Sequence, residues 1–404
     1  MTGSRGSTRE RPAAVTTTPT ALLDAWRPDE DVLWSSPRGT LLAAGTAERL
    51  DLPWTTDLPG AVAERLRGAR GRGEVDVVVG ALPFATGVPA ALVRPEVLHR
   101  AAGRLVVPPA TAAEPALARV VEERPVPAEE DYRAAVRRAL RLLADDRLEK
   151  VVLARAVDLR TDGPVDVRAL LRALARLDER ARVFAVPLPD EPGEPPAGGP
   201  GRTLVGASPE LLCALHGDTV TAVPLAGTAA RQADPADDAA AGAALLASDK
   251  DRREHAIVVE AMVAALGPWC ADLQVPTGPQ LVATPTAWHL ATRLEGRRAD
   301  AATTSLHLAR ALHPTPAVGG MPAAAACLAV EELEPVDRGF YAGAVGWADA
   351  SGDGEWAVSI RCGVAGGDTV RLHAGAGVVR GSDPAAELAE TGVKLDLLRR
   401  ALGA

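Results

Sequence analysis

Aromatic residues make up only 3% of the 404 residues and methionine occurs three times, so any core must be packed mainly from Leu, Val and Ala. No run of 18 apolar residues occurs, which leaves no candidate for a membrane-spanning helix. A basic stripe is also missing. The net charge of −9 comes from acids and bases mixed along the chain, which argues against a nucleic-acid partner. The four cysteines, Cys213, Cys270, Cys327 and Cys362, lie far apart and form no C-x-x-C pair. They read as reduced, buried thiols of a cytoplasmic protein. No H-x-x-x-H or Cys/His spacing appears, which disfavours zinc. Residues 1–22 carry basic side chains without an apolar h-region behind them, so they read as a disordered leader and not as a secretory signal.

What is present is ordinary for a soluble globular protein, with 47% hydrophobic and 24% charged residues. Length alone allows two or three domains or one large unit. Alternating segments at 32–35 and 39–44 predict strands, 61–70 a helix, and the apolar run at 75–84 a strand buried on both faces. This first part, residues 23–125, reads as structural. Residues 129–145, with Tyr132, Val136, Ala139, Leu140 and Leu143 at helical spacing, predict an amphipathic helix. It leads into LEKVVLAR, a strand that puts Lys150, Val152 and Ala154 on one side. Alone, Lys150 would read as a solvated strand-end lysine.

A helix at 165–177 and a strand at 182–188 follow, then a Pro/Gly-rich stretch at 189–202 that reads as a surface insertion. VGASPELL predicts a strand with Glu210 on its face, because the turn at Gly217 leaves little room for a helix. Residues 224–228 read as a small-residue turn, and 239–266 as a long helix or helix pair. Glu254 lies on the apolar stripe of that helix, and a carboxylate facing a core is costly unless paired or metal-bound.

The C-terminal third organises the rest. Residues 343–348 and 356–361 predict a hairpin around a turn-rich run, and a third strand at 370–374 runs into Gly375 and Gly377, whose lack of side chains lets a ligand approach the backbone. Ser382 or Asp383 can then cap a helix with Pro384 in its first turn. On that helix Glu387, Glu390 and Lys394 share one face. A helix standing alone would make that trio a solvated face. Beside the glycine-lined strand end it becomes a candidate metal-and-carboxylate site.

These runs resemble, in order, those of the chorismate-utilising enzymes, and within them the isochorismate synthases of the siderophore type. The matching segments are LEKVVLAR, VGASPELL, PLAGTAARQ, LLASDKDRREH, TPTAWHLAT, LHPTPAVGG, ELEPVDR with GAVGW, GEWAVSIRC, AGAGVV and ETGVK, spanning roughly residues 130–400, with VVGALPF matching more loosely upstream. The resemblance implies an α/β (α+β) fold, a large antiparallel β-sheet system with helices packed outside, forming one catalytic domain over 23–404 with a catalytic half at 126–404. It implies Lys150 as general base on a water that attacks C2 of chorismate, and Glu210 as general acid for departure of the C4 hydroxyl. Glu254 and Glu390 match magnesium ligands, with Glu387 beside them. Arg361 and Lys394 match residues that bind a substrate carboxylate. Gly227, Thr228, Ala317 and Gly375 match substrate contacts, with Tyr341 and His289 lining the pocket.

Three positions choose within the family. Ala226 stands where aminodeoxychorismate synthases carry a nucleophilic lysine, Lys150 is lacking in the ammonia-using anthranilate synthases, and Ala317 replaces the threonine of salicylate-forming relatives. Val318 departs from the leucine of many siderophore-type members and implies a slightly larger pocket. The expectation is a magnesium-dependent, cytoplasmic, monomeric isomerase with chorismate and isochorismate as its ligands. A salicylate synthase and a silent chorismate binder are the alternatives.

Overall fold

The structure, a computed structural model, describes residues 17–110, 117–189 and 201–404. The expected leader lies outside the described residues up to position 16. The helix Pro19–Ala25 already begins inside it, with Thr18 accepting the Ala21 N–H at its start and with Leu22 and Leu23 buried. The expected insertion lies outside the described residues from 190 to 200.

Among the described residues the chain builds two large antiparallel sheets. The ten-stranded one runs Gly320–Met321, Lys150–Thr161, Thr369–Val378, Cys362–Gly366, Thr203–Ser208, Arg182–Pro187, Val32–Ser36, Gly39–Ala44, Val97–Ala102, and Val120–Val126 also pairs with Lys150–Thr161. The nine-stranded one runs Cys270–Gln274, Leu294–Arg298, Thr219–Val223, Leu211–His216, Gly354–Val358, Ala344–Asp349, Val77–Leu82, Ala91–Arg94, Glu48–Leu50. Each sheet draws strands from both sides of residue 126. A third sheet of three strands, Leu225–Ala230, Ala287–Ala291 and Gln280–Ala283, stands apart from both.

Alternation along the strands sorts the layers. In the ten-stranded sheet Trp34, Phe184 and Leu204 point into a core shared with the nine-stranded sheet. Their neighbours Leu33, Ala185 and Val205 point outward, under the helices Pro19–Ala25, Val167–Leu177 and Pro384–Leu402. Glu129–Ala144 and Ala323–Leu333 cover the end of the same face that holds Val151 and Leu153. Leu58–Gly71 and Ser305–Leu312 pack on the nine-stranded sheet. No helix among the described residues is long and apolar enough to cross a membrane.

Several local expectations change. Glu210 lies just outside a strand, at the crossover where the chain leaves Thr203–Ser208 in one sheet and enters Leu211–His216 in the other. The segment read as a turn at 224–228 is mostly the strand Leu225–Ala230, with a register shift between Ala226 and Thr228 where Gly227 adopts φ +73°. Small residues there signal a bulge, which a turn reading cannot separate from a turn. The glycine-rich Cys362–Gly366 proves to be a strand between the predicted hairpin and the next strand. Cys213, Cys270 and Cys362 are buried, while Cys327 is only half-buried; all four are free thiols.

The two large sheets are joined by a buried polar clamp. Glu355 accepts from Ser36 Oγ at 2.8 Å and from Arg182 Nε at 2.7 Å, and its side chain is 2% exposed. Removing one partner of such a pair leaves the other charge uncompensated. Glu355→Ala should therefore destabilise the protein by about 3–5 kcal/mol. Adding Arg182→Met to it should recover most of the loss, as read from denaturant midpoints.

Candidate active site

The site forms where the ladder of the ten-stranded sheet opens. Cys362–Gly366 accompanies Thr369–Val378 only as far as Leu372, whereas Lys150–Thr161 pairs with it through Val378. Beside the open edge lies a pocket with about 580 Å³ of empty space, its mouth included. Of the residues expected at the site, Glu210, Gly227, Thr228, Glu254, His289, Ala317, Tyr341, Arg361, Gly375, Glu390 and Lys394 line it directly. Lys150 and Glu387 stand behind that lining.

Lys150 opens its strand on the pocket side and is fully buried. Its Nζ is 2.8 Å from Glu254 Oε1, a close ion pair whose alignment falls short of a hydrogen bond. Glu254 therefore faces the pocket, and its stripe on the helix Asp249–Leu266 turns out to bury His255, Val258, Met262 and Leu266. Burial pushes the Glu254 carboxyl up, but Lys150, with Lys394 and Lys250, more than reverses this and holds it below its ordinary value. Gly377 makes the pair possible. A Cβ there would lie 2.5 Å from Glu254 Oε1 and 3.1 Å from Lys150 Cε.

Glu210 behaves in the opposite way. It is 3% exposed, and burial pushes its carboxyl up to about 7 against the weaker pull of the Leu225 N–H, Arg361, Lys150 and Lys394. The Leu225 N–H reaches Oε1 at 3.4 Å, a long contact that leaves the acid form well tolerated. Ser208, which donates to Val358 O at 2.6 Å, pins the crossover that carries it.

Arg361 is buried and sits in the left-handed region at φ 51°, a cost of roughly 1–3 kcal/mol that the surroundings must enforce. The Ala207 N–H does part of this by donating to Arg361 O at 3.1 Å, and Gly206 leaves the room, since a Cβ there would come within 2.9 Å of that oxygen. His289 orients the guanidinium. Its Nδ1 lies 3.2 Å from Gly227 O, which requires the proton on that nitrogen, so Nε2 accepts from Arg361 Nη2 at 3.3 Å. Burial and the nearby Arg361 push His289 down to about 3, so it stays neutral. Lys394 donates to Gly375 O at 2.8 Å and pairs with Glu390 at 2.6 Å. Tyr341 stacks on His373 with ring centroids 5.2 Å apart.

The helix Pro384–Leu402 brings Glu387, Glu390 and Lys394 together as the spacing predicts. Asp383 caps it through the Ala385 and Ala386 N–H groups, settling the choice between the two candidate caps. Arg155 fixes the helix from the opposite face of the Lys150 strand, donating to Thr391 Oγ1 at 2.7 Å. Glu387 is 2% exposed and is pushed up by burial and by Glu390, with Lys250 3.4 Å away as its counter-charge. Lys250 escaped the sequence reading. A cation in the first turn of a helix, where acids are favoured, was its available signal.

This donor set suits a hard divalent cation. Glu254, Glu387 and Glu390 offer only oxygen, and the glycine at 377 keeps the space beside Glu254 clear. Among the described residues no three His, Cys, Asp or Glu side chains already converge as a metal cage. Magnesium does not demand one, because it is commonly held by one or two carboxylates together with water and an anionic ligand.

Comparison with known proteins identifies the family. A family model described as chorismate binding enzyme matches residues 97–403. The isochorismate synthase DhbC of Bacillus subtilis (strain 168) is 42% identical over 387 residues, covering 95% of this chain and 96% of the relative. The isochorismate synthase EntC of Escherichia coli (strain K12) is 40% identical over 378 residues, covering 91% and 93%. Among solved structures, MenF of Escherichia coli, described as the menaquinone-specific isochorismate synthase, superposes with a TM-score of 0.79 at 27% identity, covering 95% of this chain and 91% of that one. The family match, the fold and the extent of identity therefore agree, and the chain belongs to the chorismate-binding enzyme family.

Proposed function

We propose that the protein converts chorismate to isochorismate, water adding at C2 and the C4 hydroxyl leaving, in support of siderophore or related aryl-acid synthesis. The observation that carries this reading is Glu210, a buried carboxyl held at about 7 inside a pocket that also contains Arg361 and Lys394. Loss of a hydroxyl needs a proton donor at neutral pH, and a poorly hydrated carboxylic acid is one. Relatives named isochorismate synthase, with identities of 40% and more over most of the chain, support the same reaction.

In this reading Lys150 is the base that takes a proton from the attacking water, and Glu210 gives one to the departing hydroxyl. One water enters and one leaves, so the net change is an isomerisation. Arg361, oriented by His289, and Lys394 hold a substrate carboxylate, the fork of the guanidinium matching its plane. Gly227, Thr228, Ala317, Gly375 and Tyr341 shape the walls. Glu254 and Glu390, with Glu387 behind them, would hold magnesium, which supplies a hard positive charge for the anionic substrate. The working unit is taken to be one chain, with residues 23–404 as its catalytic domain. The four free cysteines support a reducing compartment, the cytoplasm.

The purified protein given chorismate and magnesium should yield isochorismate by liquid chromatography, and EDTA should stop it. Salicylate and pyruvate appearing without an added lyase would replace this reading with the longer reaction. In calorimetric titrations, Glu254→Gln and Glu390→Gln should each weaken magnesium binding; wild-type affinity in both would remove the metal assignment.

Glu210 must be protonated to act, so kcat/KM should fall as pH rises through about 7. Glu210→Gln should lower kcat by roughly 10²–10⁴-fold and abolish that limb. Its effect on stability has the opposite sign. The carboxyl rises from 4.5 to about 7 on folding, so the native state binds the extra proton and stability declines as pH rises across that window. Glu210→Gln should accordingly raise the thermal midpoint at pH 8. A lowered midpoint there would show that the carboxylate is stabilised and not merely tolerated.

A further inference from the structure

The ELEPVDR run supplies a buried ion pair that lines no part of the pocket. Glu334 and Arg338, four residues apart in the irregular chain after the helix Ala323–Leu333, have side chains 6% and 2% exposed and meet at 2.5 Å. They fill a gap in the ladder. Gly320–Met321 pairs with the Lys150 strand only at Lys150 and Val151, and Val120–Val126 joins the same strand only from Ala156 onward. Between them, Glu334 Oε1 accepts the Ala154 N–H at 2.7 Å and Arg338 Nη2 donates to Val152 O at 2.8 Å. A neighbouring strand would satisfy the same two backbone groups.

Arg338 reaches two more pocket walls. Its Nη1 donates to Val318 O at 2.7 Å, and its own carbonyl accepts the Tyr341 N–H at 2.8 Å. Val152, Val318 and Tyr341 all line the pocket, whereas Glu334 and Arg338 do not. The guanidinium lies 4.3 Å from the Phe84 ring centroid, which closes its outer side.

We propose that Glu334 and Arg338 are positioning residues for the reaction: together they replace a missing length of strand and hold the Lys150 strand, the Val318 wall and Tyr341 in one fixed register around the substrate. This rests on the function proposed above. Lys150 lies two residues before Val152 on the same face, so a shift of that edge displaces the base relative to the substrate. A misplacement of about 1 Å in such a site can cost about 10²-fold in rate.

The test separates position from stability. Arg338→Lys keeps a positive charge beside Glu334 but cannot make the same fork of contacts. Glu334→Leu with Arg338→Met removes the charges together, an exchange that buried pairs often tolerate. Each variant is assayed for kcat, KM and thermal midpoint beside wild type. The expected result is a kcat lower by about 10²-fold in both, with KM changed far less and no proportion between kcat and midpoint. Activity within about twofold of wild type in either folded variant overturns the proposal. So does a kcat that simply follows the midpoint, or an effect confined to KM. If the double variant does not fold, Arg338→Lys decides by the same criteria. A wild-type protein that makes no isochorismate would instead sink the functional reading, whatever the variants do.

Discussion

The contact between Lys150 and Glu254 constrains everything around it. A fully buried ammonium cannot be left without a counter-charge, because the desolvation penalty of a lone ion is several kcal/mol even after relaxation. Glu254 must therefore turn toward the Lys150 strand, which sets the rotation of the helix Asp249–Leu266 and places its apolar side on Val258, Met262 and Leu266. Room for the pair requires a residue without a side chain at 377, on the adjacent strand. One ion pair thus links the strand, the helix and the glycine that three separate sequence motifs contribute.

The same rule extends through the pocket. Lys150 faces Glu254, Lys394 faces Glu390 and Lys250 faces Glu387, so each lysine has a carboxylate and no charge is stranded. Arg361 differs. Its guanidinium hydrogen-bonds a neutral imidazole in place of a carboxylate, and burial pulls it down from its ordinary value. The open ladder edge beside Gly375 gives an anion a way to approach the backbone. Charge pairing thus serves the lysines, while Arg361 relies on a neutral hydrogen-bond partner.

Sequence showed the scaffold best where periodicity was strong. The helix at 129–145 and the strand at Lys150 fall where apolar spacing puts them, and the trio Glu387, Glu390 and Lys394 does share a face toward the pocket. It failed where backbone geometry and not side-chain pattern decides. Leu225–Ala230 is a bulged strand because Gly227 can take a positive φ, and Glu210 sits at a crossover because Ser208 holds Val358 O across the two sheets. Spacing cannot report such long-range contacts. His289 illustrates a further limit: its place in the pocket was readable from the motif, but its work on Arg361 depends on which ring nitrogen carries the proton, and that follows only from the carbonyl of Gly227.

Among the described residues the N-terminal part contributes nothing to the pocket lining, yet its contacts support the site. Arg361 with left-handed backbone, Glu210 raised toward neutrality and Glu387 raised by burial and by Glu390 all cost stability, and two stretches of ladder beside the pocket lack a strand partner among the described residues. Something else must hold these features in place. Ser36 completes the clamp on Glu355 between the large sheets, Phe84 covers Arg338, and its carbonyl accepts from His313 at 2.8 Å just before the loop that carries Ala317. Trp26, Trp34 and Trp54, three of the seven tryptophans, are buried on this side. The early strands thus contribute contacts that hold charges and strained backbone beside the pocket where a relaxed fold would not leave them.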